Sequence, residues 1–320
     1  MNKILLLVVI ILIPVTLVTN KEETDTVMYG ATLENITLDI PIADNTEVNE
    51  NVKNYQVLIS SNKDKSNPYY IDLEEYIVGV VAGEMPASFQ MEALKAQAIA
   101  SRTFAMYKMK NVDNYVLSTT INDQVYLTVD EMKSKWGSDF DYYYNRIKQA
   151  VDSTKGEVIT YDDNLIISYY FAISNGYTDD ARVVFNEDKD YLVSVESIWD
   201  KNYNSYSSTR TMSKNTFCSK LHISCNSISI TNVIRSSNNY VREIMINGTK
   251  FTGREVFNKL SLKSTDFDIS VMGNDVVIKT YGFGHGVGMS QYGAQGMASN
   301  GYNYKDILTY YYKNTEISYI

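Results

Sequence analysis

The chain has 320 residues, of which 44% are hydrophobic and 21% charged, and its formal net charge is −9. This composition is typical of a globular protein with enough apolar residues for a core, and the length allows one or two domains. The negative charge argues against nucleic-acid binding, which needs a basic face, and against electrostatic capture by an anionic cell wall. Contacts to such a wall would then be hydrogen bonds and ring stacking, and the 27 Tyr residues offer both.

The first segment is apolar: residues 4–18 contain one polar side chain, Thr16, and follow Lys3. A run of this length is short for a membrane-spanning helix, which usually takes ~17–25 residues, and it lacks the small-x-small site of a cleaved signal peptide. We predict a signal-anchor over residues 1–19, with a cleaved signal as the alternative. Both place the body outside the cytoplasm, and the anchor would hold it on the cell membrane.

Residues 20–51 are polar and acidic and predict an extracytoplasmic tether with one strand, over residues 29–40. The remaining chain, residues 52–320, is predicted to form the functional domain. Its first regular elements are a strand over residues 55–60 and a short helix that opens at residues 72–75 and carries the chain to Glu84.

Glu84 is the first candidate for chemistry. Its uncharged neighbours in the sequence VVAGEM permit desolvation, which would raise its pKa and keep it protonated as a general acid. The alternative is that Glu84 only caps the turn before the next helix.

A long Ala-rich helix is predicted after Pro86, whose fixed φ suits a turn. The segment up to Met109 lacks Gly and Pro and is rich in good helix formers, with Ala87 or Ser88 as the expected N-cap. The helix is expected to present a polar edge to a glycan-binding cleft, formed by Lys95, Arg102, Gln97 and Ser101.

The middle of the chain is rich in β-forming residues. Strands are predicted over residues 156–160, 166–173, 191–195, 228–230, 241–246 and 276–280, and helices over 253–260 and 304–312. Because strands and helices do not alternate regularly, we predict an α+β fold with mixed, largely antiparallel sheets. Ser174 lacks the G-x-S-x-G surroundings of a nucleophile and is expected in a turn.

Both cysteines lie in one short motif, Cys218-x3-His222-x2-Cys225. Outside the cytoplasm such a pair predicts a disulfide first, and free thiols second. A zinc site is the third alternative, because it would need a fourth ligand.

The sequence GFGHGVGMSQYGAQGMA, residues 282–298, alternates glycine with larger residues. It is not a nucleotide-binding fingerprint, and no helix is predicted directly after the glycines. These glycines are therefore expected to let the backbone approach a ligand or another strand. His285 would either orient a substrate hydroxyl or be structural. Side chains suited to sugar hydroxyls follow it, namely Ser290, Gln291 and Tyr292.

A single obvious acid suits one type of glycan cleavage. Hydrolytic glycosidases usually need two carboxylates, and the next acid, Glu92, lies in a first helical turn where the dipole favours it. If a hydroxyl of the sugar itself attacks the anomeric carbon, one residue can protonate the leaving oxygen and then accept the attacking proton, as in lytic transglycosylases. A muramidase that uses water would need a second carboxylate, for which the sequence offers Asp179, Asp180 and Glu196.

Two stretches resemble the signature sequences of the SpoIID/LytB family: VVAGEMPASFQMEALKAQAIASRTFAM and GFGHGVGMSQYGAQGMA. Further likenesses are YLVSVESIWD, TGREVFNKLSLKSTDF and YNYKDILTYYYKNTEI, so the similarity extends over residues 54–320. The resemblance implies a peptidoglycan lytic transglycosylase that cleaves glycan strands without stem peptides during forespore engulfment. It also implies a partner cell-wall amidase and a membrane scaffold of the engulfment machinery.

By motif position Glu84 matches the catalytic glutamate of the family. The substrate-binding residues are expected to be Lys95, Arg102, Gln124, Tyr126, Ser174, His285, Ser290, Gln291 and Tyr292. Some members bind zinc through cysteines upstream of a Gln-x-Tyr element, but residues 118–126 contain no Cys, so neither a metal nor another cofactor is expected. The LytB branch suggests an alternative function, a non-catalytic peptidoglycan-binding protein that stimulates an amidase.

Overall fold

A computed structural model describes residues 55–62 and 64–320, all of which belong to one unit. The predicted signal-anchor (1–19) and tether (20–51) lie outside the described residues. Within the described ranges, the helices are all too short or too polar to cross a membrane.

The helices are α1 (Leu73–Glu84), α2 (Met91–Asn111), α3 (Val129–Trp136), α4 (Phe140–Asp152), α5 (Ala181–Val184), α6 (Lys214–Leu221), α7 (Gly253–Leu260), α8 (Gln291–Ser299) and α9 (Tyr304–Tyr311). The strands are β1 (Gln56–Ser60), β2 (Tyr69–Asp72), β3 (Val116–Ser118), β4 (Glu157–Tyr161), β5 (Asn164–Leu165), β6 (Tyr170–Phe171), β7 (Ser207–Ser213), β8 (Ile230–Arg235), β9 (Val241–Ile246), β10 (Thr249–Thr252), β11 (Asp266–Met272), β12 (Asp275–Tyr281), β13 (Met289–Ser290) and β14 (Glu316–Tyr319).

The sheets are small, with strand orders β2-β1-β3, β10-β9-β8, β11-β12-β7, β13-β6 and β14-β4-β5. Most neighbours are antiparallel, whereas β3 is parallel to β1 and β13 is parallel to β6. The predicted α+β class with largely antiparallel sheets is confirmed.

Several predicted elements are found with their expected bounds, among them β9 and α7. The predicted strand over 191–195 is wrong, because this segment does not pair with a neighbouring strand. Its carbonyl groups accept single hydrogen bonds from three separate segments: Leu192 from Ala181, Val195 from Thr178 and Tyr191 from Lys313. The predicted strand over 166–173 shrinks to the two paired residues of β6. Helix α8 was missed, although it follows the glycine-rich segment directly.

Helix α1 begins at a polar cap and ends at Glu84, as predicted. Asp72 Oδ1 accepts hydrogen bonds from the N–H groups of Glu74 at 2.9 Å and Glu75 at 3.2 Å, which satisfies two of the free donors of the first turn. Almost all residues from Leu73 to Ala82 are buried, so α1 is a core helix that carries its last residue to the edge of the core.

Helix α2 begins later than predicted, at Met91. The N–H of Phe89 bonds to the carbonyl of Pro86 at 3.0 Å, so residues 86–89 close a turn before the helix starts. The N–H of Gln90 donates to Gln295 Oε1 of α8 at 2.6 Å, which fastens this turn to α8. From Ala93 to Met106 all but one residue is buried, so α2 lies at the centre of the larger hydrophobic cluster.

The polar edge predicted for α2 requires a correction. At 100° per residue, Lys95 and Arg102 share one face of the helix, whereas Gln97 and Ser101 lie roughly opposite. Arg102 is fully buried and binds Glu74 of α1 with both Nε and Nη2, at 2.9 and 2.6 Å. Its Nη1 donates to the Glu157 carbonyl of β4 at 3.0 Å. Arg102 therefore ties α1, α2 and β4 together.

Lys95 makes a more superficial contact on the same face. Its ammonium pairs with Glu92 at 2.8 Å and lies 5.5 Å from the ring centroid of Tyr304, where α9 begins. Glu92 in turn accepts the N–H of Tyr304 at 2.9 Å. This contact joins α2 to α9.

A second hydrophobic cluster is formed by the part of the chain that runs from β7 to β12, and it includes Phe217, Ile244, Val256 and Phe267. The disulfide predicted between Cys218 and Cys225 is confirmed, and it ties the end of α6 to the following loop.

The two cations of α2 should differ sharply in their effect on stability. Arg102→Ala leaves the partly buried carboxylate of Glu74 without its fully buried partner and should lower the free energy of unfolding by about 3–5 kcal/mol. Lys95→Ala removes a partly exposed pair and should cost less than about 1 kcal/mol. Urea denaturation of both variants tests this, and equal losses would contradict it.

Replacement of both cysteines by alanine should lower the free energy of unfolding by about 2–3 kcal/mol, because the disulfide closes a short loop of seven-residue separation. Denaturation with and without a reducing agent measures the loss. The reducing agent should destabilise the natural protein and leave the alanine variant unchanged; an equal effect on both would contradict the expectation.

Candidate active site

Glu84 is the last residue of α1 and is half-buried at the edge of the larger cluster. Burial raises the pKa of its carboxyl group to about 7, and hydrogen bonds from the Val125 N–H and the side chains of Gln291 and Tyr170 oppose that rise. The N–H of Val125 donates to Glu84 Oε1 at 2.6 Å. A carboxyl group that titrates near neutral pH, on a residue that is not fully buried, can both donate and accept a proton.

Two glycines of α1 allow Val125 to come this close. A Cβ on Gly83 would lie 2.5 Å from the carbonyl oxygen of Val125, and one on Gly79 would overlap the ring of Tyr126. The N–H of Leu127 bonds to the Gly79 carbonyl at 3.0 Å. The spacing Gly79-x3-Gly83 thus forms a groove on α1, and residues 125–127 lie in it.

Behind Glu84, amide and hydroxyl side chains form a buried layer. Gln124 donates from Nε2 to the hydroxyl of Tyr170 at 3.0 Å and to the carbonyl of Ser101 at 3.3 Å. Its Oε1 accepts the Tyr76 hydroxyl at 3.3 Å. Gln124 is fully buried, so it positions Tyr170 against Glu84 and cannot itself contact a substrate.

A second arm of this layer runs along the inner face of α2. Gln291 donates to Gln97 Oε1 at 3.3 Å, and Gln97 donates to Ser101 Oγ at 3.0 Å. Gln97 and Ser101 are fully buried. The face of α2 opposite Arg102 therefore holds the amide that contacts Glu84.

A buried carboxylate, Asp200, lies beneath the start of α8. Its oxygens accept the hydroxyls of Ser174 at 2.5 Å, Ser197 at 2.7 Å and Ser290 at 2.8 Å. Burial raises the pKa of Asp200 to about 6, and the three hydroxyls oppose the shift. Ser290 is also the N-cap of α8, accepting the N–H of Gly293 at 3.2 Å, so Asp200 fixes the helix that begins with Gln291.

His285 is held within the glycine-rich loop. Its Nδ1 accepts the N–H of Val287 at 3.1 Å, and its ring lies among the rings of Tyr169, Phe171 and Phe185. Burial is the largest cause that lowers the pKa of His285 to about 4, so the ring is neutral at physiological pH. These contacts are those of a structural histidine.

The glycines of this loop let strands approach one another. A Cβ on Gly288 would overlap the carbonyl of Tyr169, directly beside the parallel pairing of β13 with β6. The sequence predicted that these glycines let the backbone approach either a ligand or another strand, and in the structure it is another strand that comes close.

Tyr292 packs against the turn that follows Glu84, and Tyr126 packs against α1. The Tyr292 ring is edge-on to Phe89, 5.0 Å between centroids, and to Tyr203, 4.7 Å. The Tyr126 ring stacks on Tyr76 at 5.6 Å beside α1.

The predicted site residues thus fall into three groups. Gln291 contacts Glu84, while Gln124, Ser174 and Ser290 support its surroundings from buried positions. Tyr126 packs against α1, Tyr292 packs against the turn that follows Glu84, and His285 holds a loop. The remaining two, Lys95 and Arg102, bind other partners on the far face of α2. Sequence reasoning missed the roles of Tyr170, Val125 and Asp200, and it grouped Gln97 with Lys95 and Arg102 of the opposite face.

Among residues 55–62 and 64–320, no cluster of three His, Cys, Asp or Glu side chains is arranged to hold a metal ion.

Comparison with known proteins identifies the family. The sequence model of the SpoIID family, described as Stage II sporulation protein, matches residues 61–161. Stage II sporulation protein D of Bacillus subtilis is 41% identical over 258 residues, which span 78% of this chain and 75% of that protein. Its counterpart in Bacillus amyloliquefaciens is 41% identical over 256 residues, spanning 78% of this chain and 74% of that protein.

A more distant relative is the Amidase enhancer of Bacillus subtilis, 26% identical over 296 residues that span 75% of this chain and 40% of that protein. The resemblance found in the sequence is therefore confirmed at the level of the family. The chain belongs to the SpoIID family of stage II sporulation proteins.

Proposed function

We propose that the protein is a peptidoglycan lytic transglycosylase with Glu84 as its only acid and base. The observation that carries the proposal is the state of Glu84. It is half-buried, and its pKa is raised to about 7 by burial, with no neighbouring carboxylate among the causes. A general acid–base group works best when its pKa lies near the working pH.

The proposed reaction proceeds in two proton transfers on one carboxyl group. Protonated Glu84 gives its proton to the glycosidic oxygen as the bond from that oxygen to C1 of N-acetylmuramic acid breaks. The resulting carboxylate then takes the proton of the C6 hydroxyl of the same sugar, whose oxygen bonds to C1. The products are a free 4-hydroxyl on one fragment and a 1,6-anhydro end on the other, and no water is consumed.

The surroundings of Glu84 suit both halves of this cycle. Burial favours the neutral acid before bond cleavage, and the Val125 N–H, Gln291 and Tyr170 stabilise the carboxylate after it. Of the predicted binding residues, the proposal keeps Tyr292 beside the sugar, in a cleft next to Glu84. Gln291 is buried and acts through its hydrogen bond to Glu84.

Hydrolysis by water is less well supported, because the other candidate carboxylates have structural partners. Asp179 is buried and binds Arg242, Asp180 caps α5, and Glu196 accepts the Tyr177 hydroxyl. Asp200 is fully buried, so it cannot activate a water next to a bound strand.

The proposal includes the setting implied by the family. The substrate would be glycan strands freed of their stem peptides by a partner amidase, and a membrane scaffold of the engulfment machinery would bring the two together. The N-terminal segment would anchor the protein in the cell membrane with its body in the space between mother cell and forespore.

A second candidate function is favoured by one observation, the similarity to a protein named Amidase enhancer. In that case the protein would bind peptidoglycan and stimulate an amidase without cleaving glycan. The two functions differ in their products, because a transglycosylase releases glycan fragments with anhydro ends and an amidase stimulator cleaves no glycan.

Glu84→Gln should lower glycan cleavage by ~10²–10⁴-fold, because it removes the general acid and base while retaining the size of the side chain. The full-length protein is incubated with peptide-stripped glycan strands, and the ends are identified by mass spectrometry. Glu75→Gln, an exposed position at the other end of α1, is the matched control and should cleave normally.

Three outcomes would contradict the proposal in different ways. Fragments heavier by one water would indicate a hydrolase. Anhydro ends that persist in Glu84→Gln would remove Glu84 from the mechanism. Strand binding without cleavage, together with stimulation of an amidase, would favour the second candidate.

The same substitution should stabilise the protein at alkaline pH. The pKa of Glu84 is about 7 in the folded protein against an ordinary value of 4.5, so the folded state holds the proton more tightly. Glu84 therefore contributes a loss of stability as pH rises from 4.5 to 7, and this contribution is absent in Glu84→Gln. At pH 8 the variant should be more stable by about 1–3 kcal/mol, and at pH 4 the two should be equal. Urea denaturation at both pH values measures this difference. A Glu84→Gln protein that is less stable than the natural protein at pH 8 would contradict the raised pKa.

A further inference from the structure

A pocket of about 360 Å³ is lined by residues other than Glu84 and the side chains that contact it. Its wall combines residues from the 174–206 segment with residues from β8, β11 and β12. The volume falls within the ~300–1,000 Å³ of pockets that take small ligands. Neither the proposed reaction nor the family comparison assigns it a role.

The polar groups of this pocket are held rigidly by one another. Asn175 donates from Nδ2 to Asp266 at 2.8 Å and to the Asn238 carbonyl at 2.7 Å. Arg235 binds the other oxygen of Asp266 at 3.1 Å and reaches Asp268 at 2.7 Å. Asn175 and Asp266 are both more than nine-tenths buried. Fixed planar groups of this kind lose little conformational freedom when they bind the hydroxyls of a ligand.

Two half-buried rings, Tyr206 and Tyr281, lie 6.0 Å apart in the wall of the same pocket. A pyranose has an apolar C–H face and a rim of hydroxyls, so it can stack on a tyrosine and bond to polar groups at its edge. Charge is balanced here, because Lys201 and Arg235 face Asp266 and Asp268. The pocket therefore suits a neutral sugar better than a carboxylate or a phosphate.

A series of aromatic side chains connects this pocket to Glu84. Phe89, five residues after Glu84, contacts Tyr292, which contacts Tyr203, with centroid separations of 5.0 and 4.7 Å. Tyr203 then joins Tyr206 within one turn, closed by an N–H to carbonyl bond of 2.9 Å. Phe89 is buried and supports Tyr292 from below, whereas Tyr292 and Tyr203 are half-buried, so a polymer of pyranose rings bound at Glu84 could follow these two rings to the pocket.

We propose that this pocket is a distal subsite for a neutral N-acetylhexosamine unit of the glycan strand that is cleaved at Glu84. The inference rests on the proposed function for its substrate class, and it adds that affinity depends on the length of the strand. Strands too short to reach the pocket bind only beside Glu84, and longer strands gain the contacts with Tyr206 and Tyr281.

The test uses the full-length Glu84→Gln protein and β-1,4-linked N-acetylglucosamine oligomers as neutral, uncleaved probes. Calorimetry gives the affinity for each length from the trimer to the octamer. Tyr281→Ala should weaken binding of the longest oligomers three- to tenfold, roughly the contribution of one aromatic stacking contact. Tyr281→Phe retains the ring and should bind as the parent does. Tyr142→Ala, on α4 and 62% exposed, is the control for loss of a surface tyrosine.

A second measurement does not require the Tyr281 variants to fold. Lys201 lines the pocket and is exposed, so a bound oligomer should slow acetylation of its amine, which mass spectrometry detects. Lys133 on α3 is exposed as well and should react at an unchanged rate.

The subsite is overturned if Tyr281→Ala binds long oligomers as tightly as the parent, or if Lys201 stays equally reactive. Its failure is distinguishable from that of the proposed function. Cleavage to anhydro ends, together with unchanged binding of long oligomers by Tyr281→Ala, would reject the subsite and leave the proposed function intact. Tyr281-dependent binding with no cleavage by the natural protein would support the subsite and reject the transglycosylase. Binding of a free stem peptide at Lys201, and of no oligomer, would also reject the subsite.

Discussion

The hydrogen bond of 2.6 Å from the Val125 N–H to Glu84 depends on how closely a chain segment can lie on helix α1. Two side-chain-free positions one turn apart, Gly79 and Gly83, make that approach possible. Each glycine costs a helix interior roughly 1 kcal/mol relative to alanine. Helix α1 tolerates this cost because eight of its 12 residues are buried, so its stability comes from packing.

The state of Glu84 is a balance between effects of opposite sign. Burial disfavours the carboxylate, and so does its place at the C-terminal end of a helix, where the dipole is negative. Three hydrogen-bond donors favour it. Because these donors come from the 124–127 segment, β6 and α8, the pKa reports the assembly of distant parts of the chain. Asp200 affects Glu84 indirectly, because it fixes the start of α8 by accepting the hydroxyl of Ser290.

The sequence was sufficient to locate Glu84, the end of α1, the disulfide and several strands and helices, because each depends on local composition or spacing. It was not sufficient to distinguish the two faces of α2. Lys95 and Arg102 were grouped with Gln97 and Ser101 because all are polar, although the helical period separates them. The roles of Tyr170, Asp200 and the Val125 N–H depend on contacts between remote segments, for which one sequence carries no local signal. The 191–195 segment was mistaken for a strand because apolar β-formers there are buried without a neighbouring strand.

Helix α2 also limits where the chain can change in length. Four residues lie between Gln97, which contacts the Glu84 side, and Arg102, which holds α1 and β4. One inserted residue between them would rotate everything after it by 100°, so one of the two sets of contacts would be lost. The spacing within α2 should therefore stay constant among related chains.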